Sequence, residues 1–139
     1  MAEINRRDIL KLLGSVTLSP LVHASAEKRA QARKVYLNTA HIAGFFYYEG
    51  MQSDVFSSLV VGDELELRRE PQNPYDENAI EVYTQSGRKL GYIPRIENPI
   101  PAAIADQNVA IGAEISEIKP SPEVFPTVTM RLYMIVVSP

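Results

Sequence analysis

The sequence predicts a mainly β domain, a small, partly open barrel of about six strands with one or two short helices. Three observations predict it. Apolar and polar residues alternate with a period of two in several short segments, the pattern of a strand with one buried face. Clusters of Gly, Pro, Asn and Asp separate those segments at close spacing, as turns between strands require. The 139 residues, 45% of them hydrophobic, suffice for one domain with a core but not for two.

Taken in chain order, the first 26 residues read as an export signal rather than as part of the fold. Arg6 and Arg7 precede Ile9, Leu10 and Lys11, then a mildly apolar run that ends at Ala24-Ser25-Ala26. A charged start, an apolar middle and a small-x-small cleavage site define such signals. The arginine pair followed by x-Ile-Leu-Lys resembles the twin-arginine type. Residues 27–34, "EKRAQARK", form a basic linker, and the domain is expected over 35–139. An exported, periplasmic protein without a membrane span in its mature form is expected, with a cytoplasmic protein as the alternative. The rival structure for the leader is an amphipathic helix with Ile9, Leu10, Leu12 and Leu13 on its apolar stripe.

Within the domain, "VYLNTAHIAGFFYY" is rich in β-branched and aromatic residues and predicts one strand, or two broken at Gly44. On such a strand Tyr47 and Tyr48 point to opposite faces, so one of them would enter the core. "EGMQSDVFSSLVVGD" predicts a short helix or loop that ends in a turn at Gly62-Asp63. "ELELRRE" places Leu65 and Leu67 on one face, and "AIEVYT" does the same with Ile80 and Val82. "KLGYIP" predicts a strand closed by Pro94, and "NPIPAAIADQN" a short helix with prolines at its start. "AEISEIKPS" and "TVTMRLYMIVV" predict the last strands. The second of these is apolar on both faces in its upper part, so its outer side should be partly covered. Closure of the strands into a barrel of the OB or SH3-like kind would limit exposed edges. The chain ends two residues after this strand, and a free-standing domain is expected.

Composition removes several kinds of chemistry. There are no cysteines, hence no thiolate metal sites and no cysteine nucleophile. The two histidines are His23 in the leader and His41 on the first strand, too few for a triad or a zinc site. No phosphate-binding G-x-x-x-x-G-K-[ST] motif occurs. A non-catalytic binding module with no cofactor and no metal is expected. Between Val35 and Pro139 seven basic residues stand against fourteen acidic ones, whereas a duplex-DNA binder that neutralises many phosphates is usually basic.

The stretch "REPQNPYDENAI", residues 69–80, stands between two predicted strands. Asn73-Pro74 favours a turn, and Asp76 and Asn78 can bond nearby backbone groups as Asx turns. Together with "GFFYYEG" before it and "GRKLGYIPR" after it, this segment resembles the HIRAN domain. The resemblance runs from about Val35 to Val137, and the R-E-P-x-N-P-Y-D-x-N-A-I run carries it without a gap.

The resemblance implies an OB-like β-barrel and binding of single-stranded DNA at a free 3′-hydroxyl end. It implies Asn73 and Asp76 at the terminal hydroxyl and Tyr75 beside the end nucleotide. Tyr47 and Tyr48 would contact bases or backbone, and Tyr92 and Arg95 would line the same groove. A carboxylate at Asp76 accepts a bond from a hydroxyl but repels a 3′-phosphate, and Asn73 offers a donor and an acceptor. Phe46 stands where DNA-binding members tend to carry arginine, and Tyr92 where some have histidine. The alternative partners are an envelope protein or a glycan, bound by a domain that keeps this fold but not the DNA. A protein-interaction module working through an exposed strand edge is the rival from another class.

Overall fold

Alternation of large apolar and polar side chains gives six antiparallel strands in the computed structural model, which describes residues 31–139. They are β1 (Gln31–His41), β2 (Glu64–Arg69), β3 (Ile80–Thr84), β4 (Lys89–Tyr92), β5 (Ile111–Lys119) and β6 (Thr127–Ser138). All belong to one sheet in the order β1-β6-β5-β2-β3-β4. Two short helices, α1 (Ser53–Ser58) and α2 (Pro99–Asp106), complete the fold. The expected export signal and the first part of the expected linker lie outside the described residues.

Register turns the alternation into a core. Leu65 of β2 lies opposite Ala113 of β5, which lies opposite Leu132 of β6, so one apolar row crosses three strands. Leu67 opposite Val82 continues it into β3. These residues are buried together with Ile80, Leu90, Ile115, Val128 and Met130. The upper part of β6 is covered on its second face as well. Tyr133 and Ile135 are buried there against Ala32 and Ala110. That packing is possible because β1 starts at Gln31, inside the segment read as linker, and pairs with β6 from Gln31↔Ser138 onward.

The mainly β architecture is the expected one, but the sheet does not close into a continuous barrel. Past the end of β1 the chain meets β4 at an isolated bridge between Ala43 and Tyr92. Two bonds make it: the Ala43 N–H donates to the Tyr92 carbonyl at 2.8 Å, and the Tyr92 N–H donates to the Ala43 carbonyl at 2.9 Å. Gly91 is what lets the two backbones meet. Its φ is +149°, and a Cβ there would stand 2.2 Å from the Ala43 carbonyl oxygen, a contact that no side chain can make.

One predicted strand is absent. "GFFYY" forms a 3-10 turn over Phe45–Tyr47, followed by a second over Glu49–Met51. Gly44, at φ 72°, bends the chain out of the strand. Phe45 then turns inward, 5% exposed, with its ring edge-on to Phe56 of α1 at 6.3 Å. Burial of that one ring outweighs the β preference of its neighbours. Tyr47 and Tyr48 therefore do not alternate between core and solvent. Tyr47 is 82% exposed and Tyr48 half-buried, and neither belongs to the core.

Candidate functional site

The loop that joins β2 to β3 is built almost entirely from its own polar groups. Its ends are tied by the Glu70 N–H donating to the Ala79 carbonyl at 2.9 Å. Within it, Asn73 Oδ1 accepts from the backbone N–H groups of Tyr75 at 2.9 Å and Asp76 at 3.1 Å. Asp76 Oδ1 then accepts from the Asn78 N–H at 2.9 Å. These are two successive Asx turns; the one at Asp76 was expected, and the other forms at Asn73 rather than at Asn78. From outside, Arg69 clamps the loop. It donates to the carbonyls of Ala79 and Glu77 at 2.9 and 3.0 Å and makes a two-pronged pair with Asp106 at the end of α2. The bond from Arg69 holds the Asp106 carboxyl below its ordinary range.

What the turns leave unused defines the site. Both lone pairs of the Asn73 carbonyl are spent on backbone, so its Nδ2 is the group that remains for a ligand. Each Asp76 oxygen holds one bond, Oδ1 from Asn78 and Oδ2 from Asn98 Nδ2 at 2.7 Å, and each keeps acceptor capacity. Tyr75 is 85% exposed and stands out from the loop. A depression of about 430 Å³ opens here, between residues 73–78 on one side and Arg95, Asn98 and Pro99 on the other.

Arg95 is distinctive for its lack of a counterion. From Val35 onward, Arg68, Arg69, Arg88, Lys89, Lys119 and Arg131 each pair with a carboxylate. Arg95 makes no ion pair among the described residues. From Val35 onward, then, Arg95 is the cation left without a carboxylate partner, and it lines this depression.

A second group of predicted residues gathers at the base of the loop rather than on the depression. The Tyr92 hydroxyl donates to Glu70 Oε2 at 2.7 Å and accepts from Lys89 Nζ at 2.9 Å. That ammonium lies over the rings of both Tyr48 and Tyr92, at 4.5 and 4.4 Å, and also bonds Glu81. Burial pushes the Tyr92 hydroxyl up to about 12; the bond to Glu70 adds to the shift and Lys89 opposes it. Burial works against the charge of Lys89, but its bonds to Tyr92 and Glu81 prevail and hold it above its ordinary value. With both functions of its hydroxyl committed, Tyr92 anchors Glu70, the residue whose carbonyl accepts the Asn73 N–H at 3.1 Å.

Tyr47 lies on a third surface. Its ring meets Phe46 edge-on at 5.5 Å, and Phe46 lies against Phe125 of the β5–β6 connection at 3.8 Å between centroids. All three rings are exposed. The structure therefore brings together Asn73, Tyr75, Asp76 and Arg95, sets Tyr48 and Tyr92 behind them, and leaves Tyr47 on its own shoulder. Sequence reading missed Asn98 and Phe125, which reach these places from other elements and carry no local motif. The role of Arg69 likewise carries no local signal, since its partner Asp106 comes from α2.

The chain has known relatives. The helicase-like transcription factor of Mus musculus is 33% identical over 93 residues, 67% of this chain but 8% of that protein. The corresponding protein of Oryctolagus cuniculus is 34% identical over 70 residues, 50% of this chain and 6% of its own length. The chain thus spans less than a tenth of these relatives. A protein of Lactobacillus plantarum known from a crystal structure superposes with a TM-score of 0.67 at 28% identity, covering 76% of this chain and 98% of that one. The crystal structure of the HIRAN domain of human HLTF shares the fold at a TM-score of 0.58 and 23% identity, over 75% of this chain and 78% of its own. The family profile of the HIRAN domain matches residues 36–135, nearly the whole of the described structure, and the chain belongs to that family.

Proposed function

We propose that this HIRAN domain is a non-catalytic module that binds nucleic acid, and that it reads the free 3′-hydroxyl end of a single strand. The observation that carries this reading is the convergence of unspent groups on one depression. The terminal hydroxyl donates to Asp76, whose negative charge disfavours a 3′-phosphate in the same place. Asn73 Nδ2 donates to a sugar or phosphate oxygen, and Arg95 pairs with the nearest phosphodiester. Tyr75, exposed at the loop, offers its face to the end base; such stacking is worth roughly 1–3 kcal/mol per base. Tyr47 and Tyr48 serve farther along the strand. A site of this kind needs little positive charge, which reconciles it with an acidic domain.

Fluorescence anisotropy of the full chain with short oligothymidylates tests the reading. A 3′-hydroxyl strand should bind at least tenfold more tightly than its 3′-phosphate twin, and Asp76→Ala should abolish the difference. Equal affinity for the two strands, or none for either, would reject end recognition. The arginine pair and cleavage pattern of the leader further lead us to propose that the protein works outside the cytoplasm. Fractionation of cells carrying Arg6→Lys/Arg7→Lys should find the uncleaved chain in the cytoplasm, and unchanged processing would refute export by this route.

A further inference from the structure

Among the described residues, Asn98 is the one fully buried polar side chain, 1% exposed. It immediately precedes α2, a place where asparagine ordinarily accepts a bond from the second or third helical N–H. Here it makes no side-chain cap, and the third helical residue, Pro101, has no N–H to give. The amide is turned the other way. Its Nδ2 donates to Asp76 Oδ2 at 2.7 Å, while its own Oδ1 is buried without a partner. An orphaned interior acceptor lowers stability. What the side chain supplies in exchange is an N–H aimed at a carboxylate, which no apolar residue of that size could provide.

The carboxylate needs such a donor. The last torsion of an aspartate is broad and has no strong intrinsic preference, so its tilt is set by what bonds it. Two donors from separate elements hold Asp76, Asn78 N–H from its own loop and Asn98 Nδ2 from the start of α2. One donor alone would leave the group free to swing about the bond that remained. Asn98 also lines the depression that Asp76 faces.

We infer that Asn98 is a positioning residue of this site: it fixes the Asp76 carboxylate in the orientation that receives a terminal hydroxyl, and so sets the selectivity of the module without touching the ligand itself. This rests on the end-recognition reading above.

The test measures the ratio of affinities for 3′-hydroxyl and 3′-phosphate oligothymidylates, because a residue that only supports the fold would weaken both strands alike. Asn98→Ala should lower the ratio about tenfold, as expected for loss of a bond to a charged group, with the 3′-phosphate affinity little changed. Asn98→Asp keeps the volume and removes the donor, and should lose selectivity in the same way at pH 7.5. An independent readout needs no variant. In the wild-type chain, the Asn98 side-chain amide resonance should shift on addition of the 3′-hydroxyl strand and stay in place with the 3′-phosphate strand.

A wild-type ratio retained by a folded Asn98→Ala or Asn98→Asp chain would overturn the inference while leaving end recognition intact. So would an amide resonance that ignores the 3′-hydroxyl strand. A wild-type chain indifferent to the two ends overturns both readings at once.

Discussion

Tyr92 shows how a side chain beneath a loop can be committed to holding it. The resemblance to DNA-binding relatives places it in the groove, yet its hydroxyl is spent on Glu70 and Lys89. The bond to Glu70 ties it to the first residue of the loop. The raised hydroxyl pKa has a consequence for stability. A group that keeps its proton more tightly when folded stabilises the fold fully below its unfolded pKa, and that contribution is lost as pH rises through the folded value. For Tyr92 the window runs from 10.0 to about 12. Thermal unfolding temperatures should therefore fall across this range, and Tyr92→Phe should flatten the fall. Absorbance at the tyrosinate band should also show late ionisation, with Tyr83, itself raised by burial and by Glu81, contributing to it.

At the scale of elements, the strands were legible where a period of two coincided with burial of one face. Leu65 and Leu67, Ile80 and Val82, and the lower half of β6 all lie where alternation puts them. Prolines marked the start of α2 as expected. "FFYY" was not legible, because its aromatic residues suit a strand and only the pocket beside Phe56 decides otherwise. The candidate site divides in the same way. Asn73, Tyr75 and Asp76 are neighbours in sequence, so their turn was legible from local chemistry, while the resemblance to HIRAN domains is what marked them as a candidate site. Asn98 arrives from the far side of β3 and β4, and nothing in its immediate sequence announces a bond to Asp76. Long-range geometry also governs Gly91. Gly91→Ala should break the Ala43–Tyr92 bridge and destabilise the fold by more than ~1 kcal/mol, since both the dihedral and the contact forbid a side chain. Hydrogen exchange at the amides of Ala43 and Tyr92 would accelerate in that variant; unchanged protection would show that the bridge tolerates a Cβ.

For the whole molecule, charge is the decisive property. The carboxylates that outnumber its cations are in large part used to neutralise them, which leaves Arg95 uncompensated beside the depression. Binding to a single strand should then depend weakly on salt, with the logarithm of affinity falling by about 0.7 per decade of salt, the value for one neutralised phosphate. Arg95→Ala should bring the slope close to zero. A slope several times steeper would mean that a longer track of backbone is engaged than this site can explain.

The bridge at Tyr92 carries one more implication. The same residue closes the open side of the sheet with its backbone and steadies the loop with its side chain. A ligand that bound the loop more tightly with that bridge closed would stabilise the bridge by the same free energy. A strand end seated on the loop would act as a remote clasp on the sheet, slowing the escape of amide protons at Ala43 that it never touches.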